Sequence, residues 1–470
     1  MKKNLRSICT VLILISVIPS AAMAQEVNTL YFMDRIPQMS LMNPARQPVC
    51  NFYLNMPGIS DINMNLGNNS LTYNDIIMES PVNDSLITFL HPDANLDDFL
   101  NTLKPKNSFF TQFSTNLLGF GFRAGKGYFS FHAREKSALK LTYPRDLMTF
   151  ITKGNMKGEH VNLSNLNLYT NHYLEYSLGY SGKMDQDLSY GLRVKYLNGL
   201  ANFQTSEFNL DLYTSEQADS MSLTSDIELQ GTAPVNVTTD SLGYIDEMKG
   251  LEPQVSDLFE NPGFAIDFGV NYQLMDDLEV SASVTDLGFI NYTNYSHRYT
   301  VNGEFSYTGI DMSSEFQEEA DSDPANDLLD SLQEATKLHY SQDAYLHFLG
   351  PKIFLAGNYQ LNRKVDFGFL SRTSFFAGDL NQSFTLSANT RPIPGVSFSA
   401  SYAVMNRAFN NLGLGVGLRL GPFQVYTVSD VVSAGLWPGN TKAFNLRFGL
   451  NFVIGCNRMK RILNDKPMIR

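Results

Sequence analysis

The sequence has few cysteines, few histidines and no long apolar run, and each shortage excludes a class of protein. Only 3 cysteines and 7 histidines occur among 470 residues, and the histidines form no metal-binding or triad-like local motif. After the first residues, no segment approaches the roughly 18 consecutive apolar residues of a membrane-spanning helix. We therefore expect no catalytic site, no cofactor and no transmembrane helix. The enzymatic alternative is an outer-membrane hydrolase assembled from separate strands.

Positive charge is also scarce. Lysine and arginine number 35 against 47 acidic residues, and the formal net charge of −12 at pH 7 excludes a generic basic nucleic-acid-binding protein. Most of the acidic excess lies in two stretches, 203–261 and 291–349, whereas the tail 457–470 is basic. We expect the acidic stretches to lie outside the cell and the tail to lie in the periplasm.

Three carboxylates in the second acidic stretch, Asp321, Asp323 and Asp327, offer the oxygen ligands that Ca²⁺ prefers. Their spacing does not match a defined calcium loop. Asp323 followed by Pro324 is also typical of a helix start, and we favour that interpretation over a metal site. A further short helix is predicted over 144–153. Both helices would cover the outer mouth of the fold.

The first residues have the pattern of an export signal. Lys2, Lys3 and Arg6 precede the apolar run 11–18, which leads to small residues. This pattern is typical of a secretory signal peptide over residues 1–24 that is removed by cleavage. Without a transmembrane helix, an exported chain can span a membrane only as a β-barrel, which predicts the outer membrane of a Gram-negative bacterium.

Strand-forming alternation is what the sequence has in abundance, and 441–455 is the clearest example. One face carries Phe444, Leu446, Phe448, Leu450, Phe452 and Ile454, and the other carries Asn445, Arg447, Gly449 and Asn451. Such alternation is expected where one face of a strand meets lipid and the other faces a polar lumen. The pattern recurs along the chain. A large periplasmic or surface β-protein is the alternative.

The alternation places 14 candidate strands, at 48–57, 109–123, 127–139, 168–181, 187–202, 262–274, 277–290, 350–361, 364–375, 380–390, 395–405, 410–420, 422–430 and 441–455. Tight turns follow even-numbered strands, and the long connections, 58–108, 140–167, 203–261 and 291–349, all follow odd-numbered strands, as in bacterial barrels. We predict an all-β fold, a transmembrane antiparallel β-barrel of about 14 strands, with long extracellular loops that carry short helices. Counts of 12 or 16 are the alternatives.

The strand pattern predicts a lumen with two kinds of wall. Charged side chains pointing inward are Glu175, Arg193, Lys195, Asp267, Glu279 and, from the last strand, Arg447. Small side chains pointing inward from 395–420 are Ser397, Ser399, Ser401, Gly413, Gly415 and Gly417. Repeated glycine on one face indicates close approach by another backbone or a ligand, with relief of barrel curvature as the alternative. The N-terminal segment is the candidate to fill that space.

Two cysteines, Cys50 and Cys456, remain after signal cleavage. Cys50 begins the first predicted strand and Cys456 follows the last. In a closed barrel these strands are antiparallel neighbours, so both cysteines lie at the same end of the closure seam. The oxidising compartment of an exported protein permits them to pair. We expect a disulfide, and two unpaired buried thiols are the alternative.

Several segments occur in a characteristic order along the chain: 30–33 and 41–48, 144–147 with 154–155, 263–269, 285–290 and 455–456. In this order they resemble a family of uncharacterised outer-membrane barrels from the Bacteroidota, over essentially the whole mature chain. They are distantly similar to the outer-membrane long-chain fatty-acid transporters and to barrel proteins of type IX secretion.

In the fatty-acid transporters an Asn-Pro-Ala tripeptide belongs to an N-terminal hatch that plugs a 14-stranded barrel. The resemblance gives Asn43, Pro44 and Ala45 that place here. It implies a hatch over 25–47, which precedes the barrel that the strand pattern places over 48–456 and the basic periplasmic tail over 457–470. Type IX secretion barrels share the tripeptide without serving as uptake channels, so the resemblance implies an architecture rather than a substrate.

Two functions are compatible with this architecture. The first is a hatch-plugged channel for small apolar molecules, which predicts an apolar pocket beside the hatch. The second is a non-transporting surface or secretion-accessory barrel that acts through its long acidic loops and periplasmic tail, which predicts a lumen sealed by charge networks. The expected partners are outer-membrane lipid and either a small apolar ligand or an envelope protein, and not nucleic acid.

Overall fold

A computed structural model describes residues 27–83, 85–154, 157–217, 220–239, 245–250, 259–307, 338–405 and 408–456. Three sequence predictions lie outside these residues. They are the signal peptide over 1–24, the basic tail over 457–470, and the carboxylates Asp321, Asp323 and Asp327 with the helix start predicted beside them.

Within the described residues, 14 strands form a closed antiparallel barrel. They are β1 (Phe52–Asn55 and Ser60–Asn68), β2 (Lys106–Ala124), β3 (Gly127–Pro144), β4 (Asn167–Lys183), β5 (Leu188–Thr214), β6 (Pro262–Met275), β7 (Leu278–Tyr292), β8 (Tyr345–Phe348 and Lys352–Gln360), β9 (Val365–Phe376), β10 (Asp379–Ile393), β11 (Val396–Met405), β12 (Ala408–Leu420), β13 (Phe423–Ser429) and β14 (Ala443–Ile454). Each pairs with its sequence neighbours. The predicted antiparallel barrel of about 14 strands is confirmed.

The barrel closes between its first and last strands. Phe52 of β1 lies opposite Ile454 of β14 on one side and Phe122 of β2 on the other. Just below this seam Cys50 and Cys456 form a disulfide across a sequence separation of 406. The predicted disulfide is therefore confirmed, and it joins the chain at the point where the sheet becomes a closed ring.

The two ends of the barrel differ in their connections. Short turns join β2 to β3, β4 to β5, β6 to β7, β8 to β9, β10 to β11 and β12 to β13, all at one end, which we call the short-turn end. The long connections leave from the opposite, long-loop end. In bacterial barrels the short turns are periplasmic and the long loops are extracellular.

Two strands are interrupted, and at each interruption an aspartate adopts a left-handed backbone. β1 breaks at 56–59 and resumes at Ser60, with Asp61 at φ 61°. β8 breaks at 349–351, opposite the part of β7 where Asp286 has φ 60°. Aspartate tolerates this conformation better than most residues. The predicted loop 58–108 is corrected, because Pro57 and Gly58 bend the first strand without ending it.

The side-chain pattern of the wall is the reverse of that in a soluble protein. Apolar side chains on the outward positions are exposed, among them Leu178, Leu386, Phe398, Leu414 and Val425. Inward positions carry buried polar side chains, among them Glu175, Arg193, Asp267, Thr385 and Asn451. An apolar exterior around a polar interior is the pattern of a barrel whose outer wall faces lipid.

Smaller elements extend the long-loop end. β5 continues outward to pair with Met221–Thr232, which pairs with Ser296–Tyr307, which pairs with Leu338–Ser341. Further short strands are His160–Asn162, the pair Ile77–Glu79 and Leu86–Thr88, and the pair Val235–Thr239 and Ile245–Gly250. The α-helices are α1 (Tyr73–Ile76), α2 (Leu96–Thr102), α3 (Arg145–Lys153) and α4 (Ser433–Leu436), and 3-10 helices lie at Thr29–Phe32, Pro37–Leu41 and Pro438–Asn440.

α3 confirms the short helix that the sequence predicts over 144–153. Pro144 is its N-cap, and Gly154 ends it with φ 77°. Among the described residues, no helix is long and apolar enough to cross a membrane.

Candidate functional site: the barrel interior

The barrel interior contains a segment of the chain that belongs to no strand. Residues 27–48, the inner segment, run through the barrel, and nearly all of their side chains are buried. Local hydrogen bonds hold its turns: Ser40 Oγ donates to the Pro37 carbonyl at 2.8 Å, and the Ala45 N–H donates to Asn43 Oδ1 at 2.9 Å. These turns satisfy part of the backbone without a sheet ladder.

The tip of the inner segment is bound by one carboxylate. Asp430, which follows β13, accepts hydrogen bonds from the Asn28 N–H at 2.5 Å, from the Thr29 N–H at 3.1 Å and from the Thr29 hydroxyl. Asp430 is fully buried. A buried carboxylate needs such donors to offset its lost hydration, so this contact fixes where the tip lies.

The middle of the segment forms an apolar cluster with the wall. Its members are Val27, Leu30, Tyr31, Phe32, Met33, Ile36 and Met42 from the segment, and Phe354, Leu370, Tyr426 and Val428 from β8, β9 and β13. Burial of apolar area at about 25 cal/mol per Å² makes this cluster a main source of the segment's attachment.

The wall of small residues lies directly against the segment. A side-chain carbon at Gly413 would come within 2.6 Å of Thr29 Oγ1, and one at Gly415 would come within 2.6 Å of Met33 Sδ. At Gly417 the nearest segment atom, Ile36 Cδ1, would be 3.0 Å away. Glycine is needed on this face because the segment occupies the space that a side chain would fill.

The Asn-Pro-Ala tripeptide meets two further glycines. A side-chain carbon at Gly191 would lie 2.2 Å from the Pro44 carbonyl carbon, and one at Gly269 would lie 2.2 Å from Asn43 Oδ1. Asn43 Nδ2 also donates to Asn271 Oδ1 at 3.0 Å. The tripeptide is therefore seated against β5 and β6.

A network of buried charges crosses the lumen beside the segment, and Lys195 is at its centre. Its Nζ lies 2.6 Å from Asp286, 2.7 Å from Asp267 and 3.5 Å from Glu175. Arg193 lies 3.1 Å from Asp267. All five side chains are buried, so each charge depends on its partners for stabilisation.

The network reaches both interrupted strands through β3. Lys136 Nζ lies 2.7 Å from Glu175 and 3.3 Å from Asp286. Asp286 belongs to β7 and lies opposite the break in β8. Two positions earlier, Arg134 lies 3.3 Å from Asp61, beside the break in β1. Arg447 of β14 lies 2.5 Å from the same Asp61. The left-handed aspartates thus direct their carboxylates into the lumen.

Charged and polar side chains also bind the segment directly. Arg193 Nη2 donates to the Ser40 carbonyl at 2.8 Å. Arg46 lies 3.7 Å from Glu279, which is only partly buried, and stacks over the Tyr31 ring at 4.9 Å. Removal of the segment would leave Arg193 with fewer acceptors.

A cavity remains at the long-loop side of the segment. Its empty space, including the part open to solvent, is about 810 Å³. Aromatic side chains that face it are Tyr169, Tyr173 and Phe376, and Leu349 also lines it. The charged side chains in its lining are Lys136, Asp286, Lys352 and Arg372.

A second, much smaller cavity lies between this cavity and the segment. Its lining includes Leu41 and Met42 of the segment together with the charge network. Lys136, Asp286, Lys352 and Asn63 line both cavities, so the two adjoin. The outer cavity is lined by both aromatic and charged groups, and the inner cavity mainly by charged ones.

Comparison with known sequences gives one family. A family of unknown function, DUF5723, matches residues 44–430. The chain belongs to this family. The match includes Pro44 and Ala45 and ends at Asp430, the residue that binds the tip of the inner segment. No curated protein matches this DUF5723 chain.

Solved structures similar to the DUF5723 chain include bacterial barrels. The toluene transporter TbuX of Ralstonia pickettii is 9% identical, with 90% of this chain and 94% of that chain covered and a TM-score of 0.42. A Pseudomonas aeruginosa FadL homologue is 10% identical, with coverages of 93% and 100% and a TM-score of 0.42. The translocator domain of the autotransporter NalP from Neisseria meningitidis is 8% identical, with coverages of 86% and 88% and a TM-score of 0.29.

The residues predicted from the DUF5723 sequence fall into three groups. Five of the charged positions, Glu175, Arg193, Lys195, Asp267 and Arg447, are buried in the network, while Glu279 lies outside it, near the short-turn end, and pairs with Arg46 of the inner segment. The small positions Ser397, Ser399, Ser401, Gly413, Gly415 and Gly417 share the wall that meets the inner segment. Asn43, Pro44 and Ala45 lie inside the barrel, within the segment.

Sequence reasoning missed Asp61, Arg134, Lys136 and Asp286. Arg134, Glu135 and Lys136 are consecutive charged residues, so this part of β3 shows no clean alternation that would assign an inward face. Asp61 lies beyond the point where the first strand was expected to end. Asp286 belongs to the segment 285–290, which resembles other barrels, but only its left-handed backbone shows that its carboxylate turns inward.

Proposed function

We propose that the protein is an outer-membrane channel that the inner segment closes as a plug, and that small molecules with an apolar part enter it from the long-loop end. The apolar exterior of the barrel supports a membrane location. The short turns would then be periplasmic and the long loops extracellular.

The observation that carries this proposal is the division of the lumen. The inner segment occupies the barrel from Asp430 to the disulfide seam, whereas the larger cavity, which is partly open to solvent, lies on its outer side. The segment is attached through side chains and hydrogen bonds rather than as a strand of the sheet. It can therefore move as a unit without breaking the ladder of the wall.

The side chains that line the two cavities indicate which kind of ligand would bind. The apolar pocket that a channel predicts beside the segment is not found among the described residues. The inner cavity there is lined mainly by charged groups, as the non-transporting alternative predicts, and aromatic side chains lie farther out, in the larger cavity. A small molecule would place its apolar part against Tyr169, Tyr173 and Phe376 and a polar group toward Lys136. The charge network would then line the path that the plug closes.

A reversible disulfide between the inner segment and the barrel wall tests the proposal. Thr29 Oγ1 and Ser401 Oγ lie 2.6 Å apart, so Thr29→Cys with Ser401→Cys places two sulfur atoms near the S–S distance of about 2.0 Å. Uptake of a small aromatic dye into proteoliposomes should stop when this pair is oxidised and return when it is reduced.

Thr29→Cys alone and the wild type, each with and without reductant, are the controls, because the reductant also reaches Cys50 and Cys456. Equal uptake by the locked and unlocked forms would show that plug movement does not control passage. An absence of uptake by the wild type and by every unlocked form would end the transport proposal and favour a barrel that acts through its loops.

A further inference from the structure

Two loops at the long-loop end carry large apolar side chains in the open. They are residues 69–76, after β1, and residues 430–442, between β13 and β14. Tyr73 is 53% exposed, Leu436 is 63% exposed and Trp437 is 64% exposed, and Ile76 is exposed beside them. We call these four side chains the rim patch. Large exposed apolar groups in a cluster mark an interaction surface.

The rim patch is held in place rather than carried on a loose loop. Asn74 Nδ2 donates to Asn440 Oδ1 at 3.1 Å, and Gly439 approaches Asn74 so closely that a side-chain carbon there would lie 2.5 Å from Asn74 Oδ1. Lys442 Nζ donates to the Ser70 carbonyl at 2.5 Å. The two loops are therefore fixed to each other and to the closure seam.

The rim patch continues the lipid-facing surface of the wall. Leu66 and Phe444 are paired across β1 and β14 and are exposed on the outside of the barrel. One step farther out, the Asn68 N–H donates to the Lys442 carbonyl at 2.9 Å, where the two loops begin. The rim patch thus lies just beyond the exposed apolar ends of β1 and β14, with the polar residues Asn68 and Lys442 between them.

The charge of the second loop distinguishes it from the other long connections. Residues 431–441 contain no charged side chain, whereas 203–261 and 291–349 are strongly acidic. An acidic loop would be repelled by the anionic headgroups of a membrane surface, but an uncharged loop with tryptophan and tyrosine is suited to the interface between headgroups and acyl chains.

We propose that the rim patch inserts into the outer leaflet of the membrane and anchors the seam between β1 and β14. The occupant of the patch is lipid, namely the zone where headgroups meet acyl chains. This inference rests on the proposed membrane location, but it does not depend on transport. It gives the exposed Trp437 a role outside the lumen.

The protein provides its own probe, because Trp437 is the only tryptophan in the chain. The experiment uses the full mature protein refolded into phosphatidylcholine vesicles whose acyl chains carry bromine, either near the headgroup or near the chain end. Tryptophan fluorescence should be lost most strongly with bromine near the headgroup, and little with acrylamide in the aqueous phase.

Two reporter variants test the membrane location of the barrel separately from lipid contact at the rim patch. In a Trp437→Phe background, Phe398→Trp places the reporter on the outward face of β11 and should be quenched by bromine on the acyl chains. In the same background, Val82→Trp places it on a loop position that is 73% exposed, where acrylamide should quench it.

The outcomes distinguish a failure of the proposed membrane location from a failure of the proposed rim-patch anchor. If Phe398→Trp is not quenched by bromine, the barrel does not lie in the bilayer and the membrane location fails. If it is quenched while Trp437 responds only to acrylamide, or to neither quencher, the barrel is embedded but the rim patch does not contact lipid. The proposed anchor is then wrong.

Discussion

Asn43 lies so close to Gly269 that a side-chain carbon at position 269 would come within 2.2 Å of Asn43 Oδ1. The same amide donates to Asn271 two positions along β6. The N-terminal segment and the wall of the barrel are thus complementary in shape at the Asn-Pro-Ala tripeptide.

Gly269→Ala should displace Asn43 and loosen the plug. Overpacking of a close contact costs typically about 1–3 kcal/mol, and here part of that cost is relieved by movement of the segment. We expect transient openings in planar-bilayer recordings that are more frequent than in the wild type. Gly357→Ala is the matched control, because no atom lies within 4 Å of the position its methyl group would take. Equal opening frequencies in the two variants would contradict close packing at the tripeptide.

Arg193→Gln should destabilise the whole barrel. Arg193 pairs with Asp267 at 3.1 Å, and both are buried. Loss of one partner from a buried ion pair costs about 3–5 kcal/mol. Urea unfolding of the protein in lipid vesicles measures the change.

Lys153→Gln is the control for Arg193→Gln, since Lys153 pairs with Asp97 on the surface, where such pairs contribute about 0–1 kcal/mol. If both variants unfold at the wild-type urea concentration, the charge network does not stabilise the barrel.

Asp430→Asn should release the tip of the plug while the barrel keeps its stability. The Asp430 carboxylate accepts from both the Asn28 and the Thr29 N–H groups, and a hydrogen bond to a charged group contributes about 1.5–3 kcal/mol. Hydrogen exchange of residues 27–33 should become faster, with exchange in the strands unchanged. Asp343→Asn, which changes an exposed carboxylate bonded to Ser341, should leave residues 27–33 as protected as in the wild type.

Replacement of Cys50 and Cys456 by alanine should lower the free energy of unfolding. A crosslink over a sequence separation of 406 stabilises by roughly 5–6 kcal/mol in the chain-entropy account, an upper value for a chain that unfolds within a membrane. The urea midpoint of the variant should match that of the reduced wild type. If oxidised wild type, reduced wild type and variant all unfold at one midpoint, the disulfide does not stabilise the seam.

Much of the fold could be predicted because a barrel wall is encoded locally. Strands such as β11 and β14 show period-2 alternation over their whole length, and each tight turn is marked in the sequence. The break in β1 was not predictable from alternation, since Asp61 restores the inward face only through its left-handed backbone.

The candidate site was predictable only in part, because its contacts join residues that are far apart in sequence. The glycines of β12 indicated that something approaches the wall, but not that Thr29, Met33 and Ile36 do so. The inner segment shows no alternation, and its partner Asp430 is some 400 residues away. Pairings of this kind follow from closure of the barrel and cannot be read from either segment alone.

Single-channel conductance of a variant that lacks residues 25–48 tests the central claim most directly. The variant must first be shown to form the barrel and the Cys50–Cys456 disulfide in detergent. We predict that it conducts in large, steady steps in planar bilayers, because the inner segment is what fills the lumen, whereas the wild type shows no steps of that size. A folded variant that is as closed as the wild type would show that the segment is not the plug.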